Sequence, residues 1–276
     1  MITFACIAPH PPIIIPEIGG ENLKEVPSTV KALKNLASKF EKSAPELILI
    51  VSPHGPVFPD RMSVRSQSEY FGNFALFGAP EVDFNFKGDP EISEIIASES
   101  NKAGIPTILL DIETCQSYGI ETTLDHGILV PLYYLYPKSQ IPNPPLVPLA
   151  FSYLSLENHF KFGKTIGNWV TKTDQKVAIV ASGDLSHCLT YDAPGGYSPA
   201  GKEFDEKLIE LLRKNDPEGI LNLKPEFIEE AGECGLRSIL ILLGALSQIS
   251  HLKSQILSYE GPFGVGYLVA NFEIKS

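Results

Sequence analysis

Three short apolar runs in this chain stop at a histidine-bearing turn. Residues 2–8 (ITFACIA) end at Pro9-His10 and residues 46–52 (ELILIVS) end at Pro53-His54. Residues 176–182 (KVAIVAS) run into Gly183-Asp184 and then His187. Runs of this length with no polar alternation read as strands covered on both faces. Such strands need helices on each side of the sheet. Helical spacing supplies them at residues 28–42 (Val30, Leu33, Leu36 and Phe40 among lysines), 90–103, 158–173, 200–214 and about 235–248. Further strands are predicted at residues 107–110 and 146–152, with short strands and turns between residues 61 and 86, where VDFNF alternates. Residues 127–136 (GILVPLYYLY) read as a helix, because Pro131 is tolerated in a first turn but breaks a central strand. The tail, ILSYEGPFGVGYLVANFEI, reads as two strands around a glycine-rich turn. The expected fold is an α/β sandwich around a central, largely parallel or mixed sheet, in one domain over residues 1–276.

Charge narrows the partners. The chain has 33 Asp plus Glu against 22 Lys plus Arg, a formal net charge of −11. That balance repels phosphate backbones and argues against nucleic acid. Cys6, Cys115, Cys188 and Cys234 are far apart, neither a disulfide framework nor a zinc-finger spacing, which fits a reducing cytoplasm. The first twenty residues lack the basic region of a signal peptide, and the most apolar stretch, SILILLGALS, falls far short of a membrane span. A cytoplasmic protein without membrane contact is the expectation. Serine-hydrolase elbows, Walker loops and dinucleotide fingerprints are absent.

The chemistry that remains is imidazole chemistry. Of six histidines, His10, His54 and His187 follow strands, and His126 sits in LDHG just ahead of the expected helix. Ligands of open α/β sheets bind outside the carboxyl ends of the strands, so three strand-end histidines converge on one mouth. A single strand-end histidine is commonly a hydrogen-bonded loop residue; the repeated strand-Pro-His pattern favours a joint role for His10 and His54. His159 and His251 follow no strand and read as ordinary structural residues. Imidazoles suit zinc, copper, iron or nickel, and two histidines with one carboxylate form the open triad that holds ferrous iron. Asp125, Asp184 and Glu233 are the carboxylates near these signals. On residue type alone Glu233 reads as a first-turn capping residue, and Asp184 as a group that orients the backbone or His187.

Taken in order, PHPP, SPHGP, LDHG-x-x-VPL, SGDLSH and AGECG resemble the LigB-like superfamily of class III extradiol ring-cleavage dioxygenases, including its Memo-like, AmmeMemoRadiSam-associated branch. The resemblance implies a single α/β domain with a mixed sheet and non-haem Fe(II) held by His10, His54 and Glu233. It makes His187 the acid/base residue and His126 a hydrogen-bonding group facing the substrate. A catechol-type aromatic diol and O2 are the implied reactants, and a homodimer or a small second subunit the implied assembly. Memo-like relatives carry a cysteine before a glycine in the third-ligand region, and here Cys234 follows Glu233 directly. Neighbours on a helix diverge by about 100°, so one of the two faces the metal. The carboxylate suits Fe(II), whereas a thiolate favours softer ions such as Cu(I) or zinc. Two other readings use the same scaffold: a zinc-dependent hydrolase with an activated water, and a Memo-like metal-binding protein without turnover.

Overall fold

The computed structural model describes residues 1–136 and 144–274. The strands are β1 (Ile2–Ala8), β2 (Leu47–Ser52), β3 (Met62–Arg65), β4 (Glu69–Phe74), β5 (Ala79–Lys87), β6 (Thr107–Leu110), β7 (Leu146–Ala150), β8 (Val177–Ser182), β9 (Lys253–Glu260) and β10 (Tyr267–Glu273). The α-helices are α1 (Pro16–Gly19), α2 (Pro27–Ser43), α3 (Pro90–Lys102), α4 (Ile112–Tyr118), α5 (His126–Leu135), α6 (Leu156–Val170), α7 (Pro199–Arg213), α8 (Pro217–Leu221), α9 (Pro225–Ala231) and α10 (Leu236–Leu246).

Eight strands form one mixed sheet in the order β6-β3-β7-β2-β8-β1-β10-β9. Its centre, β7-β2-β8-β1, is parallel throughout, so the loops leaving these four strands emerge along one edge. β8, late in the chain, lies between β2 and β1. The register aligns Ala8 with Ser182 and Val51 with Ala181, which brings the three strand ends level. β3 and β10 run antiparallel to their inner neighbours, making the sheet mixed as expected.

Successive residues of the central strands enter opposite cores. Ala5 and Ile7 of β1, with Leu49 and Val51 of β2, join one core together with α6 and α10. Cys6 and Ala8, with Ile48 and Ile50, join the other beneath α2, α5 and the β4–β5 hairpin. Burial on both faces is the reason these strands carry no polar alternation. In α10 every residue except Arg237 is buried. α6 meets it at backbone distance: a Cβ on Gly163 would lie 1.9 Å from the Ile241 carbonyl oxygen, and one on Gly244 would stand 2.1 Å from that of Phe160. No described helix is long and apolar enough to cross a membrane.

α5 differs from its expectation in one respect. Pro131 stands in the middle of the helix and not in its first turn. Proline has no N–H to give the carbonyl four residues earlier, so the Gly127 carbonyl is left without a helical donor. The hydroxyl of Ser182, at the end of β8, donates to that carbonyl.

Candidate metal centre

Ser182 links the fold to the site. Its one proton goes to the Gly127 carbonyl, which can only accept. The serine oxygen is therefore the acceptor for His10 Nδ1–H, 3.1 Å away. That choice of tautomer leaves a lone pair on His10 Nε2. His10 itself is 2 % exposed, and its backbone N–H donates to Asp184 Oδ1 at 3.1 Å. Its Nε2 lies 2.9 Å from His54 Nε2, 3.7 Å from Asp184 Oδ2 and 3.8 Å from Cys234 Sγ.

His54 opens to solvent on the rim. Its backbone N–H donates to Ser52 Oγ, whose hydroxyl donates to Asp125 Oδ1 at 2.5 Å. Gly127 is required beside this pair, because a Cβ there would stand 2.3 Å from Ser52 Oγ. The ring of His126, first residue of α5, lies 4.1 Å from that of His54 and 5.6 Å from that of His10. Burial, reinforced by His54, holds the His126 imidazole down to about 4. His187 donates Nδ1–H to the Gly232 carbonyl at 2.8 Å, so its free acceptor is also Nε2. Burial depresses its pKa too, and it is close enough to oppose charge on both His10 and His54.

Two donor groups share His10: His10, His54 and His126 in one, and His10, Asp184 and Cys234 in the other, each with its ligand atoms within 4.8 Å of one another. This donor chemistry fits a transition metal. Two nitrogens held about 2.1 Å from one cation at right angles stand about 3 Å apart, close to the His10–His54 separation. Asp184 has one oxygen committed to His10 N–H and the other beside Nε2; burial pushes its carboxyl up to about 7.

Glu233 departs from the expectation that it ligates with His10 and His54. It belongs to neither donor group; Oε2 accepts the Leu236 N–H at 2.5 Å in the first turn of α10, and Oε1 sits 3.6 Å from Arg237 Nη1. Its carboxyl, pushed up to about 7 by burial, lines a separate cleft of about 840 Å³ with Arg237. The turn explains this. Gly232 has φ +61°, and α10 begins so close to β8 that a Cβ on Gly183 would meet the Gly235 Cα at 2.2 Å. Cys234 is thereby clamped to Asp184, whose backbone N–H donates to Sγ at 3.3 Å, while Glu233 turns away. His159 is a buried clasp, with Nδ1–H donating to the Ser155 carbonyl and Nε2 accepting from Ser152 N–H. His251, exposed with φ +62°, stands outside both donor groups.

A cleft of about 300 Å³ opens beside His54 and His126, lined also by Arg65, Leu76, Phe77, Leu124 and Asp125. Phe77 closes one wall with its ring 5.2 Å from that of His126. Arg65 was missed in the sequence: nothing near MSVRSQS distinguishes a buried guanidinium from a surface one.

A family model described as the catalytic LigB subunit of aromatic ring-opening dioxygenase matches residues 4–270 of the chain that builds this centre. Protein CA_C1420 of Clostridium acetobutylicum is 36% identical over 270 residues, covering 98% of this chain; the chain spans 57% of that relative's length. The 2-aminophenol 1,6-dioxygenase beta subunit of a Pseudomonas species is 26% identical over 300 residues, covering 97% of this chain and 92% of that one. Among solved structures, an uncharacterised protein of Escherichia coli K12 superposes with a TM-score of 0.62 at 20% identity, over 97% of this chain and 98% of the other, and so shares the fold.

Proposed function

Because the chain belongs to the family of catalytic LigB subunits of aromatic ring-opening dioxygenases, we propose that it is a non-haem Fe(II)-dependent extradiol dioxygenase that opens a catechol-type ring with O2. The observation that carries this reading is the His10–His54 pair, whose Nε2 atoms are 2.9 Å apart at the rim of a cleft. In this proposal His10 and His54 hold the metal through Nε2. Asp184, whose Oδ2 lies 3.7 Å from His10 Nε2, is the carboxylate proposed in the place assigned from sequence to Glu233. It groups with His10 and Cys234 while His54 groups with His10 and His126, so the two-histidine, one-carboxylate set suited to ferrous iron forms only when a bound ion draws Asp184 and His54 together. When bound, the iron supplies a meeting point for the diol and dioxygen and the electron exchange between them.

The remaining work falls to the protein. His187 has its Nδ1 proton pinned by Gly232, so Nε2 is free to accept a ring-hydroxyl proton and later return it. His126, neutral near pH 7, offers the substrate a hydrogen bond without adding positive charge beside the cation. Phe77 and Leu124 give the ring an apolar wall and exclude water from one side. In the same proposal residues 1–276 act as one domain in the cytoplasm.

A second reading has its own observation. Cys234 Sγ lies 3.8 Å from His10 Nε2, and a thiolate with imidazoles favours zinc or copper, as in a hydrolase or a metal-binding protein without turnover. Anaerobic purification, metal analysis and assay with catechols separate the two. Ferrous iron with a coloured ring-opened product supports the dioxygenase; zinc or copper without turnover supports the second reading. His10→Ala, His54→Ala and Asp184→Asn are expected to lose metal and Glu233→Gln to keep it, whereas His187→Ala keeps metal and loses turnover. Full metal content in the His10 and His54 variants would overturn the assignment.

A further inference from the structure

Buried polar side-chain atoms almost always find a partner, and those that do not mark strain or an unfilled ligand position. Arg65 Nε and Asp125 Oδ2 are two such atoms among the described residues, and both residues line the cleft beside His54 and His126. Arg65 is the more demanding case. It is 4 % exposed, at the end of β3, and its guanidinium carries a permanent charge. Nη1 donates to the Thr122 carbonyl at 2.9 Å and Nη2 to the Glu121 carbonyl at 3.1 Å. Among the described residues no carboxylate lies within 4.0 Å of it, although a charged side chain this deeply buried is expected to be paired. Two backbone carbonyls orient the group without neutralising it. A buried, oriented and unneutralised guanidinium on a ligand cleft is a receptor for a planar anion.

The rest of the cleft restricts what carries that anion. Its volume of about 300 Å³ is at the lower end for small-molecule sites, enough for one ring with a short substituent. Phe77, Leu76 and Leu124 supply apolar contact for a ring, and the unpartnered Asp125 Oδ2 awaits a donor such as a hydroxyl or amino group. We propose that Arg65 is a specificity-determining residue that selects single-ring aromatic substrates bearing a carboxylate, with the carboxylate seated on its guanidinium. The inference rests on the ring-cleaving reading for the diol end of the ligand and on Arg65 for the acid end.

The test uses a probe that needs no metal. Isothermal titration of the metal-free protein compares phenylacetate with benzyl alcohol, a phenyl ring with and without the anion. Phenylacetate is expected to bind at least about tenfold more tightly, and Arg65→Met is expected to remove that preference while changing the neutral probe little. Arg65→Lys, which keeps the charge but loses the planar fork, gives an intermediate loss. Equal affinity for both probes in the wild type, a comparison that needs no variant, overturns the proposal, as does a preference that survives Arg65→Met. A parallel assay of iron-loaded wild type with 3,4-dihydroxyphenylacetate and 4-methylcatechol keeps the two readings apart. Turnover of both diols at equal efficiency retains ring cleavage and removes the Arg65 proposal. Arg65-dependent binding of the acid with no cleavage of either diol retains the anion seat and removes the dioxygenase.

Discussion

At the scale of single residues, the centre depends on which nitrogen of each imidazole is bare. His10 and His187 both have Nδ1–H committed, to Ser182 Oγ and to the Gly232 carbonyl, so both keep Nε2 as the bare acceptor. Partners of this kind fix ligand orientation, and losing one costs roughly 10–100-fold in metal affinity. Ser182→Ala is therefore expected to weaken metal binding by about that factor while the chain stays folded, as read by a competitive chelator titration. Unchanged affinity would mean that the tautomer of His10 is set some other way. The histidines themselves were legible because each follows a recognisable strand or turn. The acidic or thiol partner beside His10 was not, because Glu233, Cys234 and Asp184 all lie on or against one turn whose geometry decides which of them faces His10. Residue type favours the glutamate for iron, yet the left-handed Gly232 and the tight Gly183–Gly235 contact turn Cys234 and Asp184 toward His10. The reading of Glu233 as a helix-capping residue, also available from sequence, matches its bond to Leu236 N–H.

At the scale of elements, the apolar runs and the long amphipathic helices were read correctly to within a few residues, since burial on two faces or on one stripe leaves a plain periodicity. Short helices such as α1, α4, α8 and α9 escaped, because four to seven residues complete too few turns to show a stripe. The joint between β7 and α6 shows what sequence could not price. His159, buried and neutral, ties Ser152 to Ser155 across that turn, and burial holds it down to about 4. The unfolded chain binds a proton to this group near pH 6.5, the folded chain only near 4. Its contribution is whole above about pH 6.5 and drains away as pH falls toward 4. His159→Gln, which cannot titrate, is expected to cost about 1–3 kcal/mol at pH 7.5. It should also flatten the loss on acidification, as measured by urea denaturation of metal-free protein at several pH values. Equal slopes for variant and wild type would show that folding leaves the proton affinity of His159 unchanged.

At the scale of the whole molecule, strand order was the part hidden from a linear reading. The parallel core and its flanking helices follow from composition of the runs, but nothing local says that β8, far along the chain from β2, slots between β2 and β1. That insertion levels the three strand ends and turns separated histidines into neighbours. The site is thus assembled only by the completed sheet, and a bound ion reports on the whole fold. Ferrous iron under argon at about 100 times its dissociation constant is expected to stabilise the chain by about 2.7 kcal/mol, a rise of several degrees in Tm. A chelator should reverse it and His10→Ala should abolish it. No shift in scanning calorimetry would indicate that the folded chain has no preference for the ion.

The proline within α5 carries this coupling further than its apolar surroundings suggest. By withholding one amide hydrogen, Pro131 frees a carbonyl, which claims the hydroxyl of Ser182 and so decides which face of the His10 imidazole is basic. Were an alanine there, the backbone could reclaim its carbonyl, the hydroxyl could swing round, and His10 could settle on either prototropic form. A position that looks like inert filling between two layers is in this way answerable to coordination chemistry.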